Sequence, residues 1–107
     1  MIYEFKTYKA TDGNFEALKK RFQEKTMPIF SRLGIEVTHC WDSLDDPNSF
    51  SYLVRFTNKE AEKAAWDAFA KDEEWKTVKA ESEKANGPLL GSQSTAYLSA
   101  TDFSPNA

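Results

Sequence analysis

From Ile2 to Tyr8 the chain reads IYEFKTY, with Tyr3 and Phe5 on the side opposite Glu4 and Lys6, which predicts a first strand with two unlike faces. After the turn-forming Thr11-Asp12-Gly13, Phe15, Leu18, Phe22, Ile29 and Leu33 recur at helical spacing, with Glu16, Lys19, Lys20, Arg21 and Glu24 between them. That is the pattern of a long amphipathic helix. Pro28 has no amide hydrogen and crowds the preceding turn, so a kink or break is expected near Thr26-Met27, and Gly34 is placed to cap the helix end. Ile35, Val37, His39 and Trp41 then alternate with Glu36, Thr38, Cys40 and Asp42 in a second strand. The polar run from Ser43 to Ser49 turns the chain, and Phe50, Tyr52, Val54 and Phe56 alternate with Ser51, Leu53 and Arg55 in a third. Pairing these two strands as a hairpin is expected to bring His39, Trp41 and Tyr52 within reach of one another.

Thr57-Asn58-Lys59-Glu60 fits a capping box at the start of a second helix, whose Ala61, Ala64, Ala65, Ala68 and Phe69 form a stripe of mostly small side chains. Asp72 caps a further helical segment carrying Trp75 and Val78, and Asn86-Gly87-Pro88 ends it. A fourth strand is expected between Ser92 and Leu98, followed by a tail with Phe103 and Pro105 as its anchors. The order βαββαβ predicts an α+β, ferredoxin-like fold over residues 1–107 as one domain: a four-stranded antiparallel sheet with both helices on one face. The other face then lacks cover. Ile2, Leu53 and Tyr97 are expected there, together with Glu4, Lys6, Thr38, Cys40 and Arg55. Burying apolar surface is worth roughly 25 cal/mol per Å², so a second copy of so short a chain is the expected cover.

Composition narrows the function. The 107 residues carry 14 Lys and Arg against 17 Asp and Glu, for a net charge of −3, and contain 8 Phe, 4 Tyr and 3 Trp. With no basic cluster to neutralise phosphates, nucleic acid is not the expected partner. One Cys and one His are too few for a zinc site, and the lone Cys40 cannot close an intrachain disulfide; no metal is expected, and a reducing, cytoplasmic setting is. Strand-like residues begin at Ile2 and no long apolar run follows, so neither a secretion signal nor a membrane span is expected. P-loop, GxGxxG, GxSxG and HExxH motifs are all lacking, so nucleotide hydrolysis, Rossmann redox chemistry, the usual serine hydrolases and zincin proteolysis have no support, and no cofactor is expected.

The opening MIYEFKTYKATDGNFEALKKRF, then Pro28, Leu33-Gly34, the Trp41 strand, Asp72-Glu73-Glu74-Trp75, Gln93 and the closing Asp102-Phe103-Ser104-Pro105 resemble NIPSNAP-family domains in sequence and in order. The resemblance implies a dimeric α+β barrel in which two four-stranded sheets face one another with helices outside. It carries no agreed reaction and no catalytic motif to transfer. Similar barrels include cofactor-free oxygenases and haem-degrading enzymes.

The residues themselves offer one candidate acid-base group: His39, with Tyr52 as orienting donor and Asp42 nearby, beside the aromatic wall of Trp41. A packed, satisfied strand histidine is the plainer reading. Cys40 is no partner for His39, because neighbours on a strand point to opposite faces. Tyr3, Phe5, Trp41, Tyr52, Phe56, Trp66 and Trp75 are candidates to surround a flat organic ligand between sheet and helices, although core packing accounts for most of them. Arg55, with Glu4, Lys6 and Glu36, is a candidate to hold an anionic group. The expected function is therefore a homodimeric binder of a small hydrophobic or aromatic molecule through Trp41, Tyr3, Phe5 and Arg55. A cofactor-free oxygenase or isomerase using His39, and a protein-interaction module, are the alternatives.

Overall fold

A computed structural model describes residues 1–105; Asn106 and Ala107, which the expected tail and domain range include, lie outside the described residues. The elements follow as β1 (Ile2–Ala10), α1 (Phe15–Arg21), a π-helical turn (Phe22–Thr26), α2 (Met27–Arg32), β2 (Glu36–Asp42), β3 (Ser49–Phe56), α3 (Lys59–Lys71), α4 (Glu73–Ser82) and β4 (Leu90–Ser99). The sheet order is β2-β3-β1-β4 and every neighbouring pair is antiparallel, the ferredoxin-like arrangement.

The first helical stretch runs on through Pro28 rather than breaking at Thr26-Met27. One extra residue is accommodated in the π turn, where the Met27 amide returns to the Phe22 carbonyl and the Thr26 hydroxyl donates to the Arg21 carbonyl. Pro28 then falls in the first turn of α2, where a missing amide hydrogen leaves nothing broken. Gly34 (φ +79°) ends α2: its amide donates to Ser31 O and the next amide, of Ile35, donates to Phe30 O at 2.8 Å, the paired closure of a Schellman turn. At the start of α3 the cap is Asn58 rather than the expected Thr57, with Asn58 Oδ1 accepting from the Ala61 amide at 2.8 Å.

Phe50, Tyr52, Val54 and Phe56 of β3 all point at the helices and are buried with Leu18, Phe22, Phe30, Ile35, Ala65 and Leu89. Tyr52 and Phe30 are the fully enclosed aromatics at the centre, with Phe22 4.6 Å from the Tyr52 ring and Trp66 5.5 Å from Phe30. Beneath α4, Arg21 is buried in an ion pair with Glu83 (3.2 Å) and lies 5.2 Å from the Trp75 ring, which ties α4 to the end of α1. Phe103 and Pro105 do not anchor the tail: Phe103 is 82% exposed and Pro105 is exposed as well, so neither is packed into the core of this chain.

Nothing lies within 4 Å of a side chain added at Gly34, so the positive φ is the whole penalty there. Gly34→Ala is expected to lower unfolding free energy by about 1 kcal/mol in urea titration, with an unchanged m value.

Candidate functional site

Alternation along β1 sends Ile2, Glu4, Lys6, Tyr8 and Ala10 toward the helices and Tyr3, Phe5, Thr7 and Lys9 to the far face, as their register with β3 requires. In β2 the alternation is interrupted. Val37 pairs with Val54, yet His39 pairs with Leu53, so Thr38 is the extra residue of a β-bulge. Val37 therefore packs into the core while His39 and Trp41 turn to the open face, and Cys40 and Asp42 turn to the helix side. Strict alternation had placed Ile35, Val37, His39 and Trp41 on one side.

This slip separates the candidate acid-base group. Tyr52 lies on the helix side, fully buried, its hydroxyl donating to Tyr8 Oη at 2.7 Å, and burial drives its phenol pKa upward. Asp42, also on the helix side, pairs with Lys19 at 2.6 Å. Neither shares a face with His39. The expected ring of aromatics between sheet and helices divides in the same way: Tyr3, Phe5 and Trp41 belong to the open face, and Tyr52, Phe56 and Trp66 to the core or its border. Cys40 does face away from His39, and burial pushes its thiol pKa up, which disfavours the nucleophilic thiolate. Of the residues expected on the uncovered face, Leu53, Thr38 and Arg55 are there; Ile2, Glu4, Lys6 and Cys40 are not, and Tyr97 shares the register of Glu4.

The open face is consequently a grid that can be read from the register. One row runs Glu36, Arg55, Tyr3, Leu98; the next His39, Leu53, Phe5, Ala96; the third Trp41, Ser51, Thr7, Ser94. Trp41, 45% exposed, stacks on the His39 ring at 5.2 Å with the planes 4° apart, and the Phe5 ring lies 5.8 Å from Trp41, tilted by 50°. His39 Nδ1 is 3.2 Å from Thr38 Oγ1, a hydrogen bond that the bulge itself makes available. Arg55 Nη2 lies 2.8 Å from Glu36 Oε2, and the Glu36 carboxylate, followed by the neighbouring Tyr3, holds the guanidinium firmly protonated. Arg55 Nε is buried without a partner. Tyr3, His39, Leu53, Arg55, Leu98 and Ser104 border a cleft of about 480 Å³ at this end of the face.

All four residues proposed from sequence as ligand contacts, Trp41, Tyr3, Phe5 and Arg55, thus stand on one face with His39. Sequence reasoning missed the nest on the opposite side of β1, where Glu4, Lys6 and Trp66 meet. The signal was Ile2, Tyr8 and Ala10, apolar residues of the same parity as the two charges. Among the described residues, no three His, Cys, Asp or Glu side chains are placed to hold a metal ion, and no helix is long and apolar enough to cross a membrane.

Solved structures of similar shape share this fold. An uncharacterized NIPSNAP domain protein from Burkholderia xenovorans superposes with a TM-score of 0.82 at 22% identity, over 98% of this chain and 99% of that one. A NIPSNAP family protein from Agrobacterium tumefaciens matches equally well (TM-score 0.82, 18% identity, 97% and 96% covered). A putative antibiotic biosynthesis monooxygenase from Nitrosomonas europaea is more distant, with a TM-score of 0.63 at 14% identity over 94% and 98% of the two chains. At these identities the likeness speaks for the fold and not for an activity. No curated protein matches the chain. The NIPSNAP family profile matches residues 3–105, and with nearly the whole length covered the chain belongs to the NIPSNAP family.

Proposed function

We propose that this chain, one domain over residues 1–107, pairs with a second copy through its open sheet face and holds a small, partly aromatic or apolar molecule in the space so enclosed. The observation that carries this reading is the composition of that face. Phe5, Trp41, Leu53 and Leu98 present apolar surface on that face, and Leu53 and Leu98 border a cleft together with the polar groups of Tyr3, Thr38, His39 and Arg55. Apolar walls with a few convergent polar groups are the ordinary make-up of a small-molecule site. The exposure of Trp41, Leu98 and Phe103 supports the pairing, because a second copy would cover the first two and offer Phe103 a surface to pack on.

Within this site Trp41 and Phe5 supply contact area and Arg55, braced by Glu36, supplies a fixed positive charge for an anionic group on the ligand. The lone thiol, Cys40, fits a reducing cytoplasmic setting. A second reading, a cofactor-free oxygenase or isomerase, draws on His39, whose ring is exposed beside the cleft and held flat on Trp41. Its orienting partner would be Tyr3, on the same face, rather than Tyr52.

Light scattering after size exclusion is expected to give about 24.4 kDa, twice the 12.2 kDa chain. Leu53→Glu, which would bury an unpaired carboxylate from each copy at the centre of the contact, is expected to give the monomer without loss of helical circular dichroism. A wild-type monomer at all concentrations would sink the pairing. Native mass spectra of gently purified protein are expected to carry a discrete added mass on the dimer. Arg55→Gln should weaken its retention about tenfold, the worth of one charge-assisted hydrogen-bond pair, and Trp41→Ala should weaken it too. Tyr52→Phe should leave it unchanged, since that ring faces the helices. Retention indifferent to Arg55 and Trp41 would refute the site.

A further inference from the structure

Between β1 and α3 lies a set of charges in a position where a small α+β core normally packs apolar side chains. Glu4, in the middle of β1, is 2% exposed. Its Oε2 accepts from Trp66 Nε1–H at 2.7 Å and its Oε1 lies 3.2 Å from Lys6 Nζ. Lys6 also donates to Thr95 Oγ1 of β4 at 3.0 Å, and its ammonium sits 4.8 Å from the Trp66 ring centre. One turn before Trp66 on α3, the Glu62 carboxyl meets that of Glu4.

The decisive detail is Glu62 Oε2, which is wholly buried and receives a hydrogen bond from no side chain or backbone amide. Trp66 donates to Glu4, and Lys6 to Glu4 and Thr95, and none of these bonds reaches Glu62 Oε2. Two ionised carboxylates in contact repel, and a desolvated acceptor without a donor is a large penalty. A single proton between the two carboxyls removes both difficulties, since it converts one acceptor into a donor. Glu4 is the better seat for the negative charge, with Lys6 and Trp66 on it, so Glu62 is the seat of the proton.

We propose that Glu4 and Glu62 share one proton that latches α3 to β1, and that its loss turns Glu62 out toward solvent and loosens the cleft between α3 and the β1–β4 edge. That cleft, about 360 Å³, is bordered by Ile2, Lys59, Glu62, Tyr97 and Ser99, so Glu62 has an exit. The charged and titratable groups facing it are Glu4 and Lys6 from β1, Lys59 from α3 and Tyr97 from β4. The contact with Glu4, and then burial, raise the Glu62 pKa to about 7 against the pull of Lys59 and Lys6. For Glu4, burial pushes the pKa up, but the hydrogen bonds from Glu62 and Trp66 and the Lys6 charge outweigh it and hold the group below its ordinary value.

The sign of the stability change follows from the direction of each shift. The folded chain keeps a proton on Glu62 that the unfolded chain, with an ordinary Glu value of 4.5, has already released. That contribution is complete below the ordinary value and is lost as pH rises through about 7. The Glu4 contribution runs the other way: it is present above the ordinary value and fades in stronger acid. Stability should therefore be greatest on the mildly acidic side. The latch lies on the helix side of the sheet and is independent of what the open face binds.

Melting curves of the full chain at pH 5 to 9 and fixed protein concentration test it. The wild type is expected to lose on the order of 5 °C between pH 6 and pH 8. Glu62→Gln, whose amide donates to Glu4 at every pH, should flatten that decline. His39→Asn, on the opposite sheet face, should keep the wild-type slope. On the wild type itself, side-chain carboxyl NMR should show one glutamate titrating near neutrality, at the position that Glu62→Gln removes. A melting profile flat through neutrality, a Glu62→Gln profile parallel to the wild type, or no glutamate titrating within about one pH unit of 7 would each overturn the latch.

Discussion

Both helical connections cross the same side of the sheet, and β3 is the strand that takes the consequences. Phe50, Tyr52, Val54 and Phe56 meet Leu18, Phe22, Phe30 and Ala65 from the two helical stretches, so the core is complete on that side alone. Strand side chains alternate, which means that every residue committed inward commits its neighbour outward. The far face is therefore fixed in place by the core rather than by packing of its own. It inherits rigidity from Tyr52 and Val54 while presenting Ser51, Leu53 and Arg55.

The bulge at Thr38 decides what this rigid face carries. One additional residue moves His39 and Trp41 outward and leaves Val37 in the core, and His39 stacks on Trp41, with Phe5 tilted against Trp41, as a result. Bulges concentrate where a strand has to re-aim a side chain. Here the displaced alternation takes an imidazole from the neighbourhood of a buried phenol and places it beside a guanidinium and an exposed aromatic surface. Chemistry at this face would draw on Arg55, Tyr3 and His39, with Glu36 bracing the arginine, and the Tyr52–Tyr8 pair has a structural part.

The order of elements was legible because it depends on local chemistry. Gly34 at a left-handed position, Asn86-Gly87-Pro88 after a helix, and the aromatic alternation of β1 and β3 each act over a few residues. Finer features were not legible for the same reason. Thr57 and Asn58 are both good caps, and their competition was settled by backbone geometry at Asn58 (φ −160°). Pro28 signalled disturbance, but whether a helix breaks or takes up an extra residue depends on Phe22 and Thr26 finding buried places on the sheet. The residues of β1 gave an ambiguous choice, since aromatics occupy one parity and Ile2, Tyr8 and Ala10 the other.

What the sequence by itself determined, then, was the βαββαβ order, a sheet with one face free of helices, and the family. These rest on periodicity and on residue types whose preferences hold wherever the chain is placed. Only the tertiary structure decided that Tyr3, Phe5 and Trp41, expected between sheet and helices, share the open face with Arg55 and His39 while Tyr52 does not, and that Glu4 and Lys6, expected on the open face, lie beneath α3 with Glu62 and Trp66. A bulge changes facing without changing composition, and a buried charge is tolerable only when its partners arrive from distant elements. Both are set by long-range pairing, which no local pattern along the chain records.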